Sequence, residues 1–241
     1  MTGLPVFCVP FAGAGATFYR CWTPAETPIE VVALQLPGRE ERFAEPVASS
    51  VEQCVSDLLS QLGKQPLESG FGLFGHSFGA ILAFELTRRL VELGTPPRCL
   101  VVSGSADPGH PLTRRSIGLD DSQFLARVEE LAGYTHPALA DEEMRELVLP
   151  ALRSDVELHE RYRPTGVQPL PVAIVALRGE RDELVSEDET RGWASWTSVD
   201  FQLREFTGGH MYLAEEHIAV QHALAEAMSE VARIGPIDEQ R

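Results

Sequence analysis

Short apolar runs recur along the chain at residues 5–9, 31–36, 70–75, 99–103, 172–177 and 201–206. Most are continuous β-branched or aliphatic stretches without strict alternation. Parallel strands covered on both faces have this character. Helical spacing fills several of the intervals. Residues 51–62 carry apolar side chains at 51, 55, 58, 59 and 62, and residues 80–93 carry them at 82, 86, 90 and 93, with Gly94 following as a stop signal. A last helical pattern covers residues 218–234. Strands alternating with helices predict an α/β chain with a doubly wound, mostly parallel sheet.

One interval breaks the rhythm. The 68 residues between Ser103 and Val172 far exceed one crossover helix and hold two amphipathic patterns, 122–132 and 141–159. The expected organisation is a core of residues 1–106 and 164–241, interrupted by a helical lid insertion at 107–163. In an α/β sheet the C-terminal edge binds ligands, and a lid there would move to admit them. Leu125, Val128, Leu131, Leu147 and Val148 are candidates for its channel wall. The competing expectation is a decoration that only packs on the core. The polar tail, residues 236–241, is expected to fray.

A length of 241 residues fits one α/β domain. The formal charge of -16 repels phosphate backbones and anionic bilayers, so neither nucleic acid nor membrane is an expected partner. Cys8, Cys21, Cys54 and Cys99 form no C-x-x-C pair and no zinc-like spacing. The N-terminus lacks a basic region before its apolar stretch, and no apolar run approaches a bilayer span. A cytoplasmic location is expected.

The segment Gly75-His76-Ser77-Phe78-Gly79 carries G-x-S-x-G between an apolar strand and an amphipathic helix. That context gives the motif its chemical meaning. A serine on a sharp strand-to-helix turn takes a strained backbone that lifts its hydroxyl clear of the sheet. Glycines two before and two after allow the close backbone approaches the turn requires. Ser77 is therefore the candidate nucleophile of an α/β-hydrolase fold. His76 is expected to be structural, since neighbours on such a turn point different ways.

This fold orders its partners serine, acid, histidine, each after a strand. His210 follows the last strand through Thr207-Gly208-Gly209 and is the candidate base. His217 and His222 are expected on the surface. Asp182, reached through Gly179 after the fifth strand, is the preferred acid; Asp107, after the fourth, is its rival. Glu180 and Glu183 are expected to be solvated. Two backbone N–H donors should form an oxyanion hole: Phe78, following the nucleophile, and Ala12 in the glycine-rich loop Pro10-Phe11-Ala12-Gly13-Ala14-Gly15. That loop lacks G-x-G-x-x-G, and no helix clearly opens after it, which argues against a dinucleotide site.

Several segments together resemble type II thioesterases, the stand-alone editing enzymes of polyketide and nonribosomal peptide synthesis. Pro10-Phe11-Ala12-Gly13 with Trp22 is similar to the oxyanion loop of that family. Pro37-Gly38-Arg39-Glu40-Glu41-Arg42 is similar to its P-G-R-x-x-R signature, which is more specific than the nucleophile turn. Leu149-Pro150-Ala151-Leu152-Arg153-Ser154-Asp155, followed by Glu160 and Tyr162, resembles its lid-helix motif. Gly179-x-x-Asp182 and Gly208-Gly209-His210 match its acid and base. The likeness runs over nearly the whole chain. Ala14 stands where the family usually has a second glycine. Ser105-Ala106-Asp107-Pro108 stands where it usually has basic residues, which keeps Asp107 open as the acid. The resemblance implies hydrolysis of acyl groups from the phosphopantetheine arms of acyl or peptidyl carrier domains, within antibiotic-type biosynthesis, and needs no metal or dissociable cofactor. Arg39 and Arg42 are either a phosphate-binding patch or ion pairs bracing their loop. The alternatives are a carboxylester hydrolase or acyltransferase with the same triad, and a non-catalytic hydrolase-fold binding protein.

Overall fold

The computed structural model describes residues 3–65, 67, 70–111, 116–132 and 141–234. Six strands form one sheet: β1 (Leu4–Val9), β2 (Ile29–Ala33), β3 (Gly72–His76), β4 (Cys99–Ser103), β5 (Ala173–Gly179) and β6 (Phe201–Phe206). Their order is β2-β1-β3-β4-β5-β6 and every pairing is parallel. Alternate side chains feed two apolar layers. Phe7, Val9, Leu73, Leu100, Val102 and Ile174 pack on one face. Val6, Cys8, Phe74, Val101 and Val175 pack on the other. Both faces are covered, so the strands read as unbroken apolar runs rather than alternating ones.

Helices α2 (Val51–Leu62) and α3 (Phe78–Glu92) cover the first face; α1 (Thr17–Arg20) and α7 (His217–Ile234) cover the second. Ser50 starts α2 by accepting the Gln53 N–H on its side chain at 3.1 Å. A small helix, α6 (Glu187–Arg191), follows β5 behind a capping box from Ser186 to Glu189. The insertion contains α4 (Asp121–Ala132) and α5 (Glu142–Arg161).

Two expectations shift. The second strand runs over Ile29–Ala33 rather than 31–36. Leu34 still donates to Cys8, but Gln35 turns aside and donates to the Gln61 side chain at 3.0 Å. Leu34 and Leu36 are apolar because they are buried, not because they extend the ladder. A four-residue helix, α1, opens soon after the glycine-rich loop, where none was clear from sequence.

The topology decides where chemistry can occur. The strand order reverses between β1 and β3, and Val9 pairs with Gly75 near their C-terminal ends. The loops leaving these strands therefore diverge from neighbouring points, and the crevice between them is where such sheets bind ligands.

Candidate active site

Ser77 joins β3 to α3 with φ 53° and ψ -121°, a region that L-residues rarely adopt. The turn is so tight that a Cβ on Gly75 would lie 2.0 Å from the Gly79 carbonyl oxygen, and one on Gly79 would lie 2.6 Å from that of Val9. Only glycine fits at either place. The Ser77 N–H donates to the Ser103 carbonyl at 2.8 Å, which ties the turn to the next strand. Phe78 opens α3, so its N–H belongs to the first turn, where helical amides lack intrahelical acceptors.

His210 follows β6, and its Nδ1 lies 2.9 Å from Asp182 Oδ2. The other carboxylate oxygen, Oδ1, accepts from the N–H groups of Leu184 and Val185 at 2.8 and 3.1 Å. Burial by itself would raise the Asp182 pKa. The hydrogen bond and charge of His210, with the two amides, outweigh it and hold the carboxyl below its ordinary range. The loops that carry the pair touch backbone to backbone: a Cβ on Gly179 would lie 2.3 Å from the Gly209 carbonyl oxygen.

Asp107 is placed differently. Its Oδ1 accepts from the Gly109 N–H and from Trp196 Nε1, both at 2.9 Å. Glu180 and Glu183 are exposed. His76 is fully buried, with Nδ1 2.8 Å from Ser103 Oγ, which in turn lies 2.7 Å from the Tyr212 hydroxyl. Burial, then the nearby His210, push the His76 pKa well down, so this ring is a neutral packing partner 4.8 Å from that of His210.

Ser77, His210, Ala12 and Asp107 all line one cavity of about 980 Å³. Its wall is mainly apolar and includes Phe11, Trp22, Val128, Leu147, Val148 and Leu152. Leu125 does not line it, and the Leu131 side chain lies outside the described residues. His217, expected on the surface, instead lines this cavity beside Trp22, while His222 is exposed. His136 lies outside the described residues.

The two arginines of the P-G-R-x-x-R segment make ion pairs within the chain. Arg39 is buried and grips Asp155 of α5 through both terminal nitrogens, at 2.6 and 3.1 Å. Asp155 Oδ2 also accepts the Gly13 N–H at 2.9 Å. One carboxylate thus joins α5, the loop after β1 and the loop after β2. Arg42 holds Asp57 and Glu45. The bracing role fits these contacts better than a phosphate patch does. Asp155 stood in the sequence motif, but its partners are more than a hundred positions away, so no local pattern announces them. Removing one member of a buried pair leaves the other charge unpaired, at a cost of about 3–5 kcal/mol. Asp155→Ala is expected to lose stability of that order in urea unfolding. Arg39→Met combined with Asp155→Leu should lose much less than the two single losses together.

A serine at positive φ between a buried strand and a helix, followed later in the chain by a hydrogen-bonded aspartate–histidine pair, fits the α/β-hydrolase order. The fold and site place the chain in that class. Comparisons with known proteins narrow it. The family model described as thioesterase domain matches residues 4–230. The thioesterase PikA5 of Streptomyces venezuelae is 37% identical over 211 residues, which is 87% of this chain and 75% of that protein. A probable cadicidin biosynthesis thioesterase of Streptomyces griseus is 36% identical over 225 residues, 92% of this chain but only 61% of that protein. The solved structure of the type II thioesterase BorB, from the borrelidin biosynthetic cluster, matches with a TM-score of 0.81 at 34% identity, covering 94% of this chain and 93% of that one. The chain belongs to the thioesterase family, hydrolases that act on thioesters. No helix among the described residues is long and apolar enough to cross a membrane.

Proposed function

We propose that this protein hydrolyses acyl thioesters on the phosphopantetheine arms of acyl or peptidyl carrier domains, clearing stalled or misprimed chains from polyketide or nonribosomal peptide synthases. The observation that carries the reading is the strained Ser77 lining the same apolar cavity as His210, whose Nδ1 is held by Asp182. The names of the relatives support the pathway. The working compartment is the cytoplasm, in keeping with four free cysteines.

In this mechanism Ser77 Oγ attacks the thioester carbonyl and His210 takes its proton. Asp182 accepts the Nδ1–H, fixes the tautomer that leaves Nε2 free as base, and stabilises the imidazolium that forms. The N–H groups of Ala12 and Phe78 receive the oxyanion, helped by the positive end of α3. The tetrahedral intermediate collapses with cleavage of the C–S bond, and the departing thiolate takes the proton from the His210 imidazolium, which returns the ring to its neutral form. Water then hydrolyses the acyl-serine with His210 again as base. A binding protein would have no use for a strained serine beside an oriented imidazole.

Among the described residues of the 107–163 insertion, only part can act as a lid. The second half of α5 is fixed, because Ala151, Leu152, Asp155 and Leu158 are buried. Movement falls to the stretch before Pro150, which lies inside α5 and has no N–H to donate to the preceding turn, and to Val128 of α4, which lines the same cavity. The test is the intact mass of an acylated carrier protein before and after incubation. The expected result is loss of the acyl mass with the phosphopantetheine arm retained. Cleavage of a matched oxygen ester alone would assign an ester hydrolase, and cleavage of neither a binding protein.

A further inference from the structure

The face of α5 over the cavity is a narrow stripe with helical spacing. It runs from Met144 and Leu147 through Ala151, Leu152 and Val156 to His159. Met144 and Leu147 are 44% and 43% exposed, which marks that end as the mouth. The other end lies beside the chemistry, since the His159 ring is 5.4 Å from that of Phe78, the residue after Ser77. The stripe is apolar as far as His159; Glu160 beside it also lines the cavity and accepts the Ser116 N–H on Oε1. An acyl chain with its carbonyl at Ser77 and its tail along α5 would meet His159 within its first few carbons.

This imidazole packs against Phe78 but, among the described residues, is not held by a hydrogen bond as some other histidine rings are. The rings of His76, His110 and His210 are held by Ser103, Glu189 and Asp182. The His159 main-chain carbonyl accepts from the Tyr162 N–H, but among the described residues no group hydrogen-bonds its ring nitrogens. Burial, then the nearby His210, pull its pKa down to about 4, so the ring is neutral near pH 7. A neutral imidazole presents one donor and one acceptor. An unsubstituted alkyl chain leaves both unpaired in a site it has emptied of water. A hydroxyl or keto oxygen on the chain would pair with one of them, and sites with such groups discriminate strongly against analogues that lack the partner.

We infer that His159 is a specificity-determining residue that selects acyl groups with a hydroxyl or keto oxygen close to the thioester carbonyl, at C3, by hydrogen-bonding that oxygen. The inference rests on the thioesterase reading and names the acyl class it favours.

The experiment compares kcat/KM for hexanoyl-, 3-hydroxyhexanoyl- and 3-oxohexanoyl-pantetheine in the wild type, His159→Leu, His159→Phe and His159→Gln. Comparing each variant with the wild type cancels the intrinsic reactivity of the substrates. The preference for oxygenated over plain hexanoyl substrate should fall about tenfold or more in the Leu and Phe variants, as for one lost hydrogen bond. Gln, which keeps a donor and an acceptor, should retain part of it. Phe preserves ring packing against Phe78, so it guards against a Leu variant that folds poorly. An unchanged preference in both apolar variants, with the wild type active on all three thioesters, would overturn the assignment of His159 alone. An equal loss on every substrate would also overturn it, by showing that the ring serves the arm or the chemistry. A wild type inactive on all three would overturn the thioesterase reading and this inference together.

Discussion

Replacing Ser77 by alanine is expected to remove turnover while leaving the fold intact. Its hydroxyl lies at the strained turn, opens into the cavity and makes no side-chain cap for α3. Loss of a triad nucleophile costs about 10⁶-fold in kcat in a comparable enzyme, and what remains comes from binding and the oxyanion donors. The backbone makes a second, separable outcome visible. Alanine must hold φ 53° as serine does, so Ser77→Ala should unfold at nearly the wild-type temperature. Glycine adopts that region freely, and strain of this kind is of order ~1–3 kcal/mol. Ser77→Gly should therefore be equally inactive but more stable, by a measurable rise in Tm. Stability gained where activity is lost would show that the turn is held under strain for the sake of the hydroxyl. Labelling by a fluorophosphonate should reach the wild type and neither variant. Substantial hydrolysis by purified Ser77→Ala would remove Ser77 from the mechanism.

The parts of this protein that depend on short stretches of sequence were legible from it. A strand covered on both faces is apolar along most of its length, so β3, β4 and β5 stand out as nearly continuous runs that turn polar only near their C-terminal ends, at His76, Ser103 and Arg178. The turn at Ser77 is just as local, because the glycines that relieve its clashes are two residues away on either side. β2 was misplaced because burial and strand character look alike in Leu34-Gln35-Leu36, and only the hydrogen bond from Gln35 to Gln61 separates them. Contacts made across the fold left no such trace. The Arg39–Asp155 pair joins two segments that are remote in sequence. His159 has the spacing of an ordinary lid residue until the cavity shows what the same face of α5 lines. His217 opens a helix whose other histidine, His222, is exposed, and only the tertiary fold turns it toward Trp22.

Asp182→Asn is expected to lower kcat by about 10⁴, and Asp107→Asn by no more than severalfold. The sequence offered both acids after adjacent strands, and their surroundings differ in what each substitution would disturb. Asp182 accepts the His210 Nδ1 hydrogen on Oδ2 and two main-chain N–H groups on Oδ1. An asparagine there satisfies the main-chain donors with its carbonyl, and its amide then points at Nδ1. A donor in that place favours the tautomer with its proton on Nε2, so the ring can no longer take one from Ser77. The same change removes the carboxylate that would stabilise the imidazolium. Asp107 has different work: its Oδ1 accepts from Gly109 and from Trp196, and an asparagine carbonyl accepts both equally well. Stability at acid pH gives a second readout for the Asp182 variant. The folded-state pKa of Asp182 is depressed, so its contribution is present above the unfolded value near ~3.9 and is lost as pH falls through the folded one. Asp182→Asn should flatten that acid limb. Steady-state kinetics on one thioester, with unfolding followed from pH 7 down to about 3, measures both. A larger catalytic loss in the Asp107 variant would move the acid to the end of β4 and leave the contact between Asp182 and His210 as a structural one.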